Sequence, residues 1–268
     1  MGTKPAHWST RVAEGFQDED VAAVYHRRPP YPAEAIDQLL ALANGGPVLD
    51  LGCGPGDIAR RIAPHVERVD AVDFSTAMVA RGKQLPGGDH VAIHWQVAAA
   101  EHAEFHPLYS LATAGESLHW MDWDVVLPRL GGTTLAIVER DWGGSSVLRK
   151  ALLPLWQRYS SVRDFQPYDL IEELTSRGLF TVLGERQCEP VPWQPTIEEY
   201  LDARHSQRGF ARTHMGEADA AEFDHAVTNT LHQLATTGDL TTDGDRLELT
   251  AGARITWGKP ATPRLSAH

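Results

Sequence analysis

The sequence predicts an α/β fold, a doubly wound and mostly parallel sheet of about seven strands with a helical lid between the last two. Three observations carry this expectation. Val48-Leu49-Asp50-Leu51 runs directly into Gly52-Cys53-Gly54-Pro55-Gly56 and then into the helically spaced 57–63, giving strand, tight turn and helix start in succession. A second apolar run ends in an acid, Asp73, 17 residues beyond Gly56, where a parallel neighbour would present a carboxylate at the mouth of the sheet. Strand-like and helix-like patterns then alternate through the first half of the chain.

In order, residues up to 18 are polar, with Trp8 and Phe16 as anchors, and 19–25 has helical spacing. His26-Arg27-Arg28-Pro29-Pro30-Tyr31-Pro32 follows, and its prolines forbid helix and stiffen an extended segment. Helices are expected over 32–42, 57–64 and 76–83, with strands over 48–51, 69–72 and 91–96 and a plain turn at 84–89. Residues 108–114 and 133–138 give the fourth and fifth strands. Beyond them, 142–163 and 168–177 have helical spacing, 180–188 is a strand, and 196–207 and 217–235 are amphipathic helices before a last strand over 246–257.

Composition narrows the function. The chain has 268 residues, enough to bury a full core, and a net charge of −12, which disfavours nucleic acid and anionic membranes as partners. No apolar run has membrane length, and no charged-then-apolar leader opens the chain. The two cysteines, Cys53 and Cys188, lack metal-like spacing, and no metal site is expected. These features together read as a cytoplasmic, reduced protein.

On the apolar-Asp-apolar-Gly-Cys-Gly-Pro-Gly run and the strand end Ala71-Val72-Asp73-Phe74-Ser75, the chain resembles the class I S-adenosylmethionine-dependent methyltransferases of small-molecule type, from about Tyr25 to about Val138. A dinucleotide dehydrogenase fingerprint would want its third glycine at position 57, where this chain has Asp57. The resemblance implies a Rossmann-like sheet and S-adenosylmethionine as cofactor. It divides the chain into a segment over the cofactor (1–31), a donor-binding core (32–145), the remaining sheet with lid helices (146–258) and a tail (259–268).

The same resemblance implies donor contacts from Asp50, Gly52, Cys53, Gly54, Gly56, Asp73, Phe74, Met78, Ala100 and Glu101. Tyr25 and Arg28 join them at the methionine carboxylate, with a proline-stiffened surface linker as the equal alternative for their segment, and Asp73 accepts from the ribose hydroxyls. Small-side-chain packing is the plainer role for Cys53, and orientation of the loop the plainer one for Asp50. The sequence departs from the family at Ala98-Ala99-Ala100-Glu101, where related enzymes often carry an acid at the position of Ala99. Adenine recognition then falls to backbone groups near Ala100 and Glu101.

Leu118-His119-Trp120 follows the fourth strand, beside the expected position of the methyl group. An imidazole titrates near neutrality, which makes His119 the candidate base for an acceptor hydroxyl, with a wall-forming role as its alternative. His205 and His214 are weaker candidates. Tyr25, His119, Trp120 and Trp123 are the candidate acceptor contacts. The expected partner is a small-molecule acceptor bound by a monomer or homodimer. The rival reading is a methyltransferase-like fold that binds the adenosyl ligand for cyclisation or sensing, with a dehydrogenase third.

Overall fold

The computed structural model describes residues 18–106, 108–162 and 168–261. Trp8 and Phe16 lie outside the described residues. Seven strands form one sheet in the order β3-β2-β1-β4-β5-β9-β6: β1 Val48–Leu51, β2 Val69–Asp73, β3 Ile93–Val97, β4 Leu111–Gly115, β5 Thr134–Asp141, β6 Phe180–Trp193 and β9 Leu249–Pro260. The first five are parallel, and β9 lies antiparallel between β5 and β6. The order reverses between β1 and β4, and such a switch point opens a crevice beyond the carboxyl ends of those strands.

Central strands of a parallel sheet are covered on both faces, which is why β1 and β2 are buried at every residue. Side chains alternate between the faces. Val48, Ala136 and Val138 pack against α2 (Ala33–Ala43) through Ala35, Ile36, Leu39 and Ala43, which share one helical face. Leu49, Leu51, Leu135 and Ile137 pack on the other face against α5 (Trp123–Arg129) and α7 (Leu170–Ser176). The other helices of the first half are α1 (Glu19–Val24), α3 (Ala59–Ile62) and α4 (Thr76–Gln84).

A third core lies away from the sheet centre. Leu148 and Leu152 of α6 (Ser146–Tyr159) meet Tyr200 and Leu201 of α8 (Ile197–His205) and Phe223, Val227 and Leu231 of α10 (Glu217–Thr237). Helices α8, α9 (Arg212–Met215) and α10 all lie between β6 and β9 in the chain, as a lid would. Thr196 and Glu199 form a reciprocal capping box that starts α8 at the predicted place.

Several boundaries differ from expectation for local reasons. The 57–64 helix shrinks to Ala59–Ile62 and closes in a 3-10 turn, Ala63–His65, with a proline inside it. Arg246 and Leu247 leave the last strand for a small hairpin, β7 Thr242–Asp243 with β8 Arg246–Leu247. Its two-residue loop holds Gly244 at φ +60°, a turn signal that amphipathic patterning hides. Lys259 and Pro260, expected to begin a tail, continue β9 opposite Thr181 and Phe180. β6 runs on to Trp193 through an irregularity between Cys188 and Val191.

Candidate functional site

The glycine turn follows β1 at the switch point. An added Cβ on Gly52, which sits at φ +62°, would lie 2.5 Å from the Cβ of Ser117, so only glycine lets the loop pass the end of β4. Gly56, at φ +79°, faces Trp95, whose indole donates to the carbonyl of Gly88 at 2.9 Å. Trp95 therefore supports the turn from below. Cys53 is buried between the glycines, and burial pushes its thiol well above the ordinary range.

Two buried carboxylates shape the loop. Asp50 accepts from the Thr113 hydroxyl at 2.7 Å and from the Ala59 N–H at 3.2 Å, tying the strand end to the start of α3. Asp73 accepts from the N–H groups of Gly54 and Ser75, both at 2.8 Å, and so joins the glycine turn to the start of α4. Burial raises Asp50 to about 7 and Asp73 to about 6. A cation in the cleft would favour the charged form of both.

Tyr25 lies across the turn, its ring 3.7 Å from where a Cβ on Gly54 would stand. Its oxygen accepts from Nη1 of Arg28 at 2.8 Å, and the guanidinium sits 3.9 Å from the ring centre. The rest of Arg28 reaches α8: Nε donates to Ser206 Oγ at 2.9 Å and Nη2 to the Ser206 carbonyl at 2.7 Å. Arg27 pairs with Glu199 at 2.7 Å. The proline-stiffened segment is thus fastened to the lid, and Arg28 binds protein groups with all three of its nitrogens.

The remaining predicted residues separate. Met78 is buried with Val21, Ala22 and Ala211 in a small cluster under α1, and Phe74 is half-buried at the end of β2. The Ala100 carbonyl accepts from Arg129 Nη1, and the Ala103 carbonyl from Arg129 Nη2 at 2.5 Å. Glu101 accepts from the Asp122 N–H at 2.7 Å. The Ala99 turn is therefore pinned to α5. His119 and Trp120 share a half-buried 3-10 turn, with ring centres 4.4 Å apart. Trp123 does not join them: its indole is buried in the core and donates to the Leu118 carbonyl at 2.8 Å, so it supports that turn from behind. His205 is likewise structural, held between the Phe210 carbonyl and Asp224, both at 2.6 Å.

A shallow cleft, open to solvent, lies against the turn. Tyr25, Asp50, Gly52 and Cys53 line it, together with four residues that sequence reasoning left unassigned: Tyr31, Ile58, Gly115 and Arg140, while Asp57 entered only as an argument against a dehydrogenase. Arg140, near the end of β5, is enclosed beside Tyr31, with its Nη2 3.1 Å from Asp57. Glu116 adopts φ +56° after β4 and accepts from the Arg140 N–H at 2.9 Å. A left-handed conformation at a non-glycine residue costs roughly 1–3 kcal/mol and is concentrated at functional sites. Only Tyr31 carried a sequence signal, through its place in the proline segment.

These features fit S-adenosylmethionine. Two buried carboxylates with raised pKa values suit a ligand whose sulfonium and ammonium are cationic, and the side-chain-free turn leaves backbone open to it.

Comparison with known proteins agrees. Residues 48–130 match a family model described as a methyltransferase domain. The chain is 37% identical over 78 residues to N-demethylindolmycin N-methyltransferase of Streptomyces griseus, covering 27% of this chain and 32% of that enzyme. It is 25% identical over 209 residues to malonyl-[acyl-carrier protein] O-methyltransferase of Salmonella typhimurium, covering 73% of this chain and 78% of that one. A candidate type II methyltransferase from Anaeromyxobacter dehalogenans superposes with a TM-score of 0.62 at 22% identity, over 88% of this chain and 99% of the other, which establishes a shared fold.

Proposed function

We propose that the chain is a class I S-adenosylmethionine-dependent methyltransferase that methylates an oxygen or nitrogen atom of a small-molecule acceptor, a specialised metabolite. The observation that carries this reading is the cleft at the switch point, walled by the glycine turn and roofed by a segment fastened to the lid. One relative is named for a nitrogen acceptor and another for an oxygen acceptor, so both atoms stay in the proposal.

When bound, S-adenosylmethionine supplies a methyl group on a positively charged sulfur. In this reading Asp73 orients the ribose hydroxyls through its remaining lone pairs, and Asp50 holds the turn at the start of α3. Gly52, Gly54 and Gly56 let backbone approach the donor. Phe74 flanks the adenosine side, Met78 supports that side from beneath α1, and backbone at Ala100 and Glu101 meets the adenine edge. Tyr25 and Arg28 close the cleft against water, which strengthens every polar contact inside it. His119 takes the acceptor proton onto a ring nitrogen when the acceptor is a hydroxyl, and Trp120 walls the approach.

Incubation with S-adenosylmethionine and a panel of phenols, amines and carboxylic acids, read by mass spectrometry, tests the proposal. The expected result is one added methyl group together with S-adenosylhomocysteine. His119→Ala is expected to slow a hydroxyl acceptor by about 10²–10⁴-fold and to leave a neutral amine nearly unaffected. Binding of the adenosyl ligand without transfer to any of them would favour the second reading, cyclisation or sensing, which rests on Ala99 standing where related enzymes often carry an acid.

A further inference from the structure

We propose that Arg140 is a carboxylate receptor in this cleft, a role that rests on the reading of the cleft as the methyl-transfer site. The guanidinium is enclosed, its side chain only 2% exposed. A guanidinium carries five N–H donors, and enclosed donors without acceptors are costly. Nη2 reaches Asp57, but Nε and Nη1 have no hydrogen-bond partner among the described residues. Tyr31 covers one face of the guanidinium at 4.2 Å from its ring centre, so the open donors point along the plane, where a carboxylate binds.

The charge balance points the same way. Asp57 is shared between Arg140 and Arg60, at 3.1 and 3.2 Å. Arg28, also buried beside Tyr25, forms no ion pair with a carboxylate among the described residues. One partly exposed carboxylate is thus shared by two guanidiniums, in a chain whose net charge is −12. An enclosed cation is expensive unless paired. The missing partner is singly charged: Asp50 and Asp57 line the same cleft and would repel a doubly charged phosphate more strongly than a carboxylate.

Two sources supply this chemistry, the amino-acid end of the donor and an acid group on the acceptor. Calorimetric titration separates them, using wild type, Arg140→Gln and Arg140→Lys. The ligands are S-adenosylhomocysteine, 5′-methylthioadenosine (which lacks the amino-acid end) and glutarate as an acid probe. Loss of charge-assisted hydrogen bonds predicts a weakening of about 10- to 100-fold for the carboxylate that Arg140 holds, and a smaller loss in Arg140→Lys, which keeps the charge without the fork.

If S-adenosylhomocysteine weakens in Arg140→Gln while 5′-methylthioadenosine does not, the receptor serves the donor. If S-adenosylhomocysteine is unchanged and glutarate binding is lost, it serves the acceptor. Equal binding of every ligand by all three proteins overturns the proposal, as does a loss shared by 5′-methylthioadenosine, which marks a structural role. Should wild type bind neither adenosyl ligand, the methyl-transfer reading fails and the glutarate titration alone decides Arg140. Circular dichroism checks folding, and Arg140→Lys carries the test if Arg140→Gln does not fold.

Discussion

Gly56→Ala is expected to destabilise the protein by about 2–5 kcal/mol, from two separable causes. The backbone there sits at φ +79°, where an L-residue pays roughly 1–2 kcal/mol. The added methyl would also stand 2.5 Å from Cη2 of Trp95 and 3.3 Å from its Cζ3. The indole has little room to retreat. Its N–H is held by the Gly88 carbonyl, and a Cβ on Gly82 would crowd the same ring edge at 2.6 Å. Overpacking of this kind costs roughly 1–3 kcal/mol.

Urea unfolding of wild type, Gly56→Ala, Trp95→Leu and the double variant measures both parts. Removing the indole relieves the clash but not the backbone strain, so the two substitutions should couple by about 1–3 kcal/mol. A cost below about 0.5 kcal/mol for Gly56→Ala would refute the argument, because it would mean that neither strain nor crowding is felt. A full cost retained in the Trp95→Leu background would refute the steric half alone.

Other consequences follow from the same geometry. Asp50 has a folded pKa of about 7 against about 3.9 unfolded, so its contribution is fully present below the unfolded value and is lost as pH rises through about 7. Its size is on the order of 4 kcal/mol. Asp73, at about 6, acts in the same direction. The stability difference between wild type and Asp50→Asn should therefore shift with pH in favour of Asn at alkaline pH, and a pH-independent difference would contradict it. Arg28→Ala should cost about 2–5 kcal/mol and speed hydrogen exchange over 18–31, since it severs buried bonds to Ser206 and Tyr25. Arg27→Ala, removing a half-exposed ion pair with Glu199, should cost less than about 1 kcal/mol.

The sheet was legible because its signals are local. β1, β2 and the turn between β1 and α3 are written in short apolar-rich runs, an acid at a strand end and glycines, each with its own backbone consequence. Lid helices α8 and α10 showed through their amphipathic spacing. What the sequence hid depends on distance. Trp123 looked like a site aromatic because it lies near His119 in the chain, yet its position on α5 turns it into the core. Arg140 carries no local mark. It enters the cleft only because β5 pairs with β4 and lies beside Tyr31, more than a hundred residues earlier in the chain. The bonds of Asp57 to Arg140 and of Arg28 to Ser206 likewise join residues that no spacing rule relates.

The central proposal for the molecule is an adenosyl site at this cleft that uses Asp73. Calorimetric titration of wild type and Asp73→Ala with S-adenosylmethionine, S-adenosylhomocysteine and NAD tests that most directly, with circular dichroism as the folding check. The expected result is binding of both adenosyl ligands by wild type, loss of that binding in Asp73→Ala, and no binding of NAD. Failure of wild type to bind either adenosyl ligand would contradict the account, and undiminished binding by a folded Asp73→Ala would remove Asp73 from the site.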